Sequence, residues 1–203
     1  MEIWDIYGNW NEIANADTVD DVKRSITGNK RAWRPNFCSS ALAYVFDYAA
    51  DEHRTSYNSK PAALDFGCGL GRNGPLLSRF FPDVIGVDLP EMVRRFTTEY
   101  AVFAAHTYRN IYNSIDSLIQ NQNFCLLYDS VVLQHIIDKE YLVDIMDRLC
   151  SVSSFRTLVS IHNASTHPYH LEILKEKGWH VWHTEAETLS FEGASHLVVV
   201  LHR

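Results

Sequence analysis

The chain has 203 residues, of which 46% are hydrophobic and 21% charged, and a formal net charge of −7. That balance supports one globular core of ordinary size and excludes a chain dominated by disorder. An acidic sequence without a Lys/Arg run has no electrostatic footprint for duplex DNA or an anionic membrane, so neither is expected as a partner.

The chain opens Met1-Glu2-Ile3-Trp4-Asp5, without a basic and apolar leader. No run of about 18 apolar residues follows, so a soluble, cytoplasmic protein is expected. Asp17 can cap a short helix with Val19, Val22 and Ile26 on one face and Gly28 closing it. Pro35 starts a second helix, through Phe37, Ala41, Tyr44, Val45 and Tyr48, that dissolves in the polar stretch from Asp51 to Lys60. Residues 1–58 therefore read as a helical extension, with action as a lid left open, before a domain spanning 59–203. From Pro61 short apolar runs alternate with helical segments: a strand at 62–66, a helix over 76–81, a strand at 84–87 and a helix over 90–105. A weaker strand at 108–112, another at 124–128, a helix over 139–150 and a strand at 157–161 continue the alternation, which predicts a doubly wound α/β fold around a mostly parallel sheet. Pro168 starts a helix that Gly178 ends, and strands at 179–184 and 196–201 stand too close for a helical crossover, so they are predicted antiparallel. Cys38, Cys68, Cys125 and Cys150 are far apart with no CxxC pair, as reduced thiols would be.

The stretch Asp65-Phe66-Gly67-Cys68-Gly69-Leu70-Gly71 lies where the first strand meets a helix. Glycines there let a ligand rest against backbone, with the N–H groups of the helix start facing it. Asp88 ends the next strand, seventeen residues beyond Gly71, where a carboxylate can accept hydrogen bonds from both hydroxyls of a ribose. The pair signals an adenosine-containing ligand. Because Gly69-Leu70-Gly71-Arg72-Asn73-Gly74 also matches GxGxxG, an NAD-binding oxidoreductase is one alternative.

The run Asp65-x-Gly67-x-Gly69-x-Gly71, together with Asp88, resembles the first motifs of the class I S-adenosylmethionine-dependent methyltransferases. The segment from Phe124 to His135 is similar to that family's fourth-strand region, and the family also closes its sheet with an antiparallel strand, giving seven strands in all. The resemblance covers roughly residues 61–203. It implies S-adenosyl-L-methionine as cofactor, with Gly67, Gly69 and Gly71 around the methionine end and Asp65 reaching its amino group. Asp88 would hold the ribose and Asn113 and Ser114 would flank the adenine, with Cys68 and Leu89 adjoining. Cys125 stands where the family often has Asp, so that acidic contact is missing or moved to Asp129. A non-catalytic adenosine-binding protein is a further alternative, since a fold does not carry its activity with it.

A methyltransferase acting on a phenol, alcohol or amine gains from a side chain that takes a proton near neutral pH. His135 and His162 fall at strand ends facing the expected crevice and are the candidate bases; each can equally be a packing residue. His162, His167 and His170 straddle Pro168 with no carboxylate among them, so no metal is expected. Trp4, Tyr7 and Trp10, with Trp33 and Arg34, either dock the extension on the sheet or line an acceptor pocket. Asp129-Ser130-Val131-Val132 is not a base-flipping amino-methylation motif, and no Pro-Cys nucleophile is present. What remains is O- or N-methylation of a small molecule, with a protein or peptide acceptor as the alternative and the oligomeric state open.

Overall fold

The computed structural model describes residues 14–16, 18, 20–21, 39–99, 107–121, 123–136, 138–151, 156–165, 168–188 and 195–203. Helix α1 (Ser40–Tyr57) starts because the Ser39 hydroxyl accepts from the Leu42 N–H at 3.1 Å, and it ends at Asn58 in the left-handed conformation. It runs past Asp51, where the polar composition predicted its end. Its buried stripe of Leu42, Val45, Phe46, Ala49 and Ala50 continues to His53, and Arg54 pairs with Asp51 at 2.5 Å on the outer face.

Strand β1 (Ala62–Phe66), the single turn α2 (Gly74–Leu77), β2 (Asp83–Val87), α3 (Pro90–Glu99), β3 (Asn110–Tyr112) and α4 (Ile115–Asn121) follow. Then come β4 (Leu126–Ser130), a 3-10 turn (Leu133–His135), α5 (Lys139–Cys150), β5 (Thr157–Asn163), α6 (Tyr169–Glu176), β6 (His180–Thr188) and β7 (Ser195–His202). The strands form one sheet in the order β3-β2-β1-β4-β5-β7-β6. The first five are parallel, and β7 runs antiparallel between β5 and β6. Every residue of β1 and β4 is buried, because helices cover both faces of the sheet. One core holds Leu42, Phe46, Phe81, Phe96 and Tyr128 beneath α1 and α3; the other holds Leu118, Phe124, Met146, Leu174 and Trp179 beneath α4, α5 and α6. Connections leave β1 and β4 toward opposite edges of the sheet, so a crevice opens beyond their carboxyl ends.

Several boundaries differ from those expected. β3 begins at Asn110 because Tyr108 turns inward, and β4 lies two residues later than predicted, since Cys125 donates its N–H to Ala62 before the ladder starts. The helix predicted over 76–81 is regular only across Gly74–Leu77. Helix α4 was not anticipated; Ser114 caps it, accepting from the Ser117 N–H at 3.2 Å. In the N-terminal segment Ala14 is fully buried in the first core, and the Ala16 carbonyl accepts from the buried Arg95 guanidinium of α3. Thr18 caps the turn at Asp21, whose N–H it accepts at 3.1 Å. The calls on Trp4, Tyr7, Trp10, Asp17, Val19, Val22, Ile26, Gly28, Trp33, Arg34, Pro35, Phe37, Cys38 and His167 lie outside the described residues, as does the predicted helical stretch at 100–105. Among the described residues no helix is long and apolar enough to cross a membrane, and Cys68, Cys125 and Cys150 are free thiols.

Candidate functional site

Beyond β1 the chain makes a tight turn with Gly67, Gly69 and Gly71 at φ of 70°, 55° and 80°. A side chain at two of these positions would collide as well as strain the backbone: a Cβ on Gly67 would lie 2.3 Å from Val132 Cγ2, and one on Gly71 2.5 Å from Phe96 Cζ. The turn is tied to the end of β2, since Gly67 and Cys68 both donate to the Val87 carbonyl, at 2.8 and 3.2 Å. Asp88 completes the tie. Its two carboxylate oxygens accept from the Gly69 N–H at 2.5 Å and the Leu89 N–H at 2.7 Å, which brings the predicted ribose-holding acid onto the predicted glycine turn. Burial pushes the Asp88 carboxyl up to about 6, against the pull of these two N–H donors.

Asp65, on β1, is fully buried and accepts the Tyr108 hydroxyl on Oδ2 at 2.5 Å. Its Oδ1 has no hydrogen-bond partner among the described residues. Burial pushes this carboxyl up to about 7; Tyr108 opposes the shift, Asp88 adds to it, and Arg72 and Asn73 oppose it. None of Tyr108, Arg72 and Asn73 was assigned to this carboxylate from the sequence. No local pattern marks a tyrosine 43 residues away as a carboxylate partner.

Asp129 faces the opposite side of the sheet from Tyr128. Alternation along β4 puts Leu126 and Tyr128 in the first core and Leu127 in the second, so Asp129 faces the second core while Asp65 pairs in register with Tyr128. Its carboxylate is taken up internally: Oδ1 accepts from the Val132 and Leu133 N–H groups, each at 3.0 Å, and Oδ2 from the Ser160 hydroxyl at 2.8 Å. With the Ser160 proton on Asp129, the Nε2 of His170, 2.8 Å from Ser160 Oγ, is the donor in that contact. Asp129, Ser160 and His170 are thus a buried chain that holds the loop after β4. In that loop Val131 sits at φ 65°, a strained conformation for a β-branched residue, and donates to the Ile161 carbonyl at 2.7 Å. Burial raises the Asp129 carboxyl to about 6 and lowers His170 to about 3.

The two candidate bases occupy different settings. His162 is 2% exposed, its ring stands edge-on to that of His170 with centroids 6.0 Å apart, and its Nδ1 has no partner among the described residues. His135 is half-buried at the end of the 3-10 turn beside Gln134, whose Oε1 accepts from the Asn163 N–H at 2.7 Å. Burial lowers both imidazoles, so both are neutral near pH 7. Asn113 is exposed beyond β3, whereas the Ser114 hydroxyl is engaged with Ser117 as the α4 cap. The Cys125 thiol donates to the Ala62 carbonyl at 3.2 Å. No group of three or more His, Cys, Asp or Glu side chains able to hold a metal occurs among the described residues.

The arrangement offers backbone curvature for close contact, a carboxylate at the end of β2 and a second buried carboxylate with one open oxygen. It suits an adenosine-bearing ligand with a cationic end. No protein-family model matches the chain, and no curated protein matches its sequence. Solved structures do match its fold. A magnesium protoporphyrin IX methyltransferase from Synechocystis PCC 6803 with bound S-adenosylmethionine aligns at a TM-score of 0.58 and 17% identity, over 97% of this chain and 91% of that one. An N-methyltransferase from Bradyrhizobium japonicum WM9 in complex with S-adenosylhomocysteine aligns at 0.62 and 13%, over 98% of each chain. An S-adenosylmethionine-dependent methyltransferase from Leishmania major aligns at 0.63 and 14%, over 97% of this chain and 82% of that one.

Proposed function

We propose that this chain, which has the Rossmann-like fold of the class I S-adenosylmethionine-dependent methyltransferases, binds S-adenosylmethionine and transfers its methyl group to an O or N atom of a small-molecule acceptor. The observation that carries the reading is the contact of the Asp88 carboxylate with the Gly69 N–H at the carboxyl ends of β1 and β2. The residues fit the cofactor: the turn leaves no room for side chains at Gly67 and Gly71, and Asp65 Oδ1 is a buried acceptor without a partner among the described residues. When bound, S-adenosylmethionine supplies an electrophilic methyl on its sulfonium. Asp88 exchanges its backbone donors for the ribose hydroxyls, Asp65 meets the ammonium of the methionine end, and Asn113 offers its amide to the adenine edge. Holding acceptor and methyl in line provides much of the rate.

His135 is the better placed base, because it is neutral and half-exposed at the carboxyl end of β4, whereas His162 is closed in against His170. The porphyrin named for one neighbour is a small molecule, which supports an acceptor of that class. Calorimetric titration with S-adenosylmethionine, S-adenosylhomocysteine and NAD tests the cofactor: binding of the first two and none of NAD is expected, and binding of NAD alone overturns the proposal. Asp88→Ala should weaken S-adenosylhomocysteine binding by about 1–3 kcal/mol in a folded protein; unchanged affinity would remove the ribose role. Once an acceptor is found, His135→Ala should lower turnover about 100-fold while His162→Ala acts mainly on stability. Full turnover in the His135 variant would mean that the acceptor is already deprotonated.

A further inference from the structure

We propose that Tyr108 is a positioning residue for this site: its ring props the glycine turn from beneath, and its hydroxyl fixes the Asp65 carboxylate so that one oxygen stays open for the ammonium group of the ligand. The inference rests on the donor reading above and adds a residue to it.

Three glycines from two segments face one ring. A Cβ on Gly71 would lie 3.1 Å from Tyr108 Cε2, one on Gly74 2.5 Å from the same atom, and one on Gly86 3.2 Å from Tyr108 Cδ1. Phe96 of α3 closes the fourth side, edge-on with centroids 5.4 Å apart, and Tyr108 is 6% exposed. A ring so enclosed cannot change rotamer without moving the turn. Its hydroxyl carries one proton and gives it to Asp65 Oδ2, which leaves Oδ1 as the acceptor still open.

The groups facing this carboxylate are Tyr108, Asp88, Arg72, Asn73 and Cys68. Burial and Asp88 favour the protonated acid, whereas Tyr108, Arg72 and Asn73 favour the carboxylate. Only the ionised form can counter an ammonium, so cation binding strengthens as pH rises through the Asp65 titration. Removing the hydroxyl takes away the largest of the influences that favour ionisation and moves that rise to higher pH.

The test is calorimetric titration of wild type and Tyr108→Phe with S-adenosylhomocysteine from about pH 5.5 to 8.5, beside a carbon-detected NMR titration of the Asp65 carboxyl in both unliganded proteins. The Phe variant is expected to bind at least about tenfold weaker at pH 7, to regain most of that loss at the alkaline end, and to show an upward-shifted Asp65 titration. A wild-type pH profile in the variant, or a loss equal at every pH, overturns the role of Tyr108, as does an unmoved Asp65 titration. If wild type binds no S-adenosylhomocysteine at any pH, the donor reading falls; a shifted Asp65 titration then still establishes the contact that fixes the carboxylate.

Discussion

Replacing Gly71 by Val is expected to remove about 2–6 kcal/mol of folding stability and to abolish S-adenosylhomocysteine binding. Two independent costs add. At φ 80° a β-branched residue occupies a region that L side chains rarely adopt, and its Cβ would lie 2.5 Å from the ring of Phe96, which is itself fully buried. The ring cannot yield, because Tyr108 packs edge-on against it and is tied in turn to Asp65. Gly178 separates strain from collision. It lies at φ 84°, yet a Cβ there meets nothing within 4 Å, so Gly178→Ala should cost only about 1 kcal/mol and leave binding untouched. Urea unfolding and calorimetry on both variants read these effects. A Gly71→Val protein as stable as wild type would mean that the turn is not packed as described.

Asp129→Ala is the second large effect, with an expected loss of about 2–4 kcal/mol, since the Val132 and Leu133 N–H groups and the Ser160 hydroxyl lose their acceptor in a buried setting. Asp129→Asn should behave differently. The amide oxygen can keep both backbone donors, and its NH2 can donate to Ser160, which then turns its own proton toward His170 Nε2 as that neutral imidazole moves its proton to Nδ1. The variant should therefore lie within about 1 kcal/mol of wild type near pH 7. The pH dependence has a definite sign. Burial raises the Asp129 carboxyl to about 6 from an ordinary 3.8, so its contribution to wild-type stability is fully present below the ordinary value and is lost as pH rises through about 6. Asn has no such titration. The stability of wild type relative to Asp129→Asn should fall as pH rises from about 4 to 7, and a difference that does not change with pH would show that Asp129 does not titrate in this range.

The part of the site closest to the chain's covalent order was legible in advance. Asp65, Gly67, Gly69 and Gly71 sit within one strand-to-helix turn, and Asp88 ends the adjacent strand, so alternation and glycine placement were enough to bring them together. Reading failed where partners come from distant segments. Tyr108 was assigned to the start of a weak strand over 108–112, although its hydroxyl belongs to Asp65. Asp129 was offered in place of the acid missing at Cys125, and its bonds to the Val132 and Leu133 N–H groups and to the Ser160 hydroxyl join a loop and a neighbouring strand that no local pattern links. Helix α4 was missed because it is short and its polar start at Ser114 looks like the end of a strand.

The sequence by itself determined the alternation of strands and helices, the antiparallel closing pair and the glycine-plus-acid signature, since each is a local property of hydrophobic period, turn residues and spacing. Only the tertiary structure decided which carboxylate is open and which is consumed. Asp65, Asp88 and Asp129 are the same residue type at three strand ends. Their environments differ because the groups that surround them, Tyr108 and Arg72 in one case and Ser160 and His170 in another, are brought together by packing across the sheet. A carboxyl's protonation depends on the donors and charges a few ångströms away, whatever their separation along the chain.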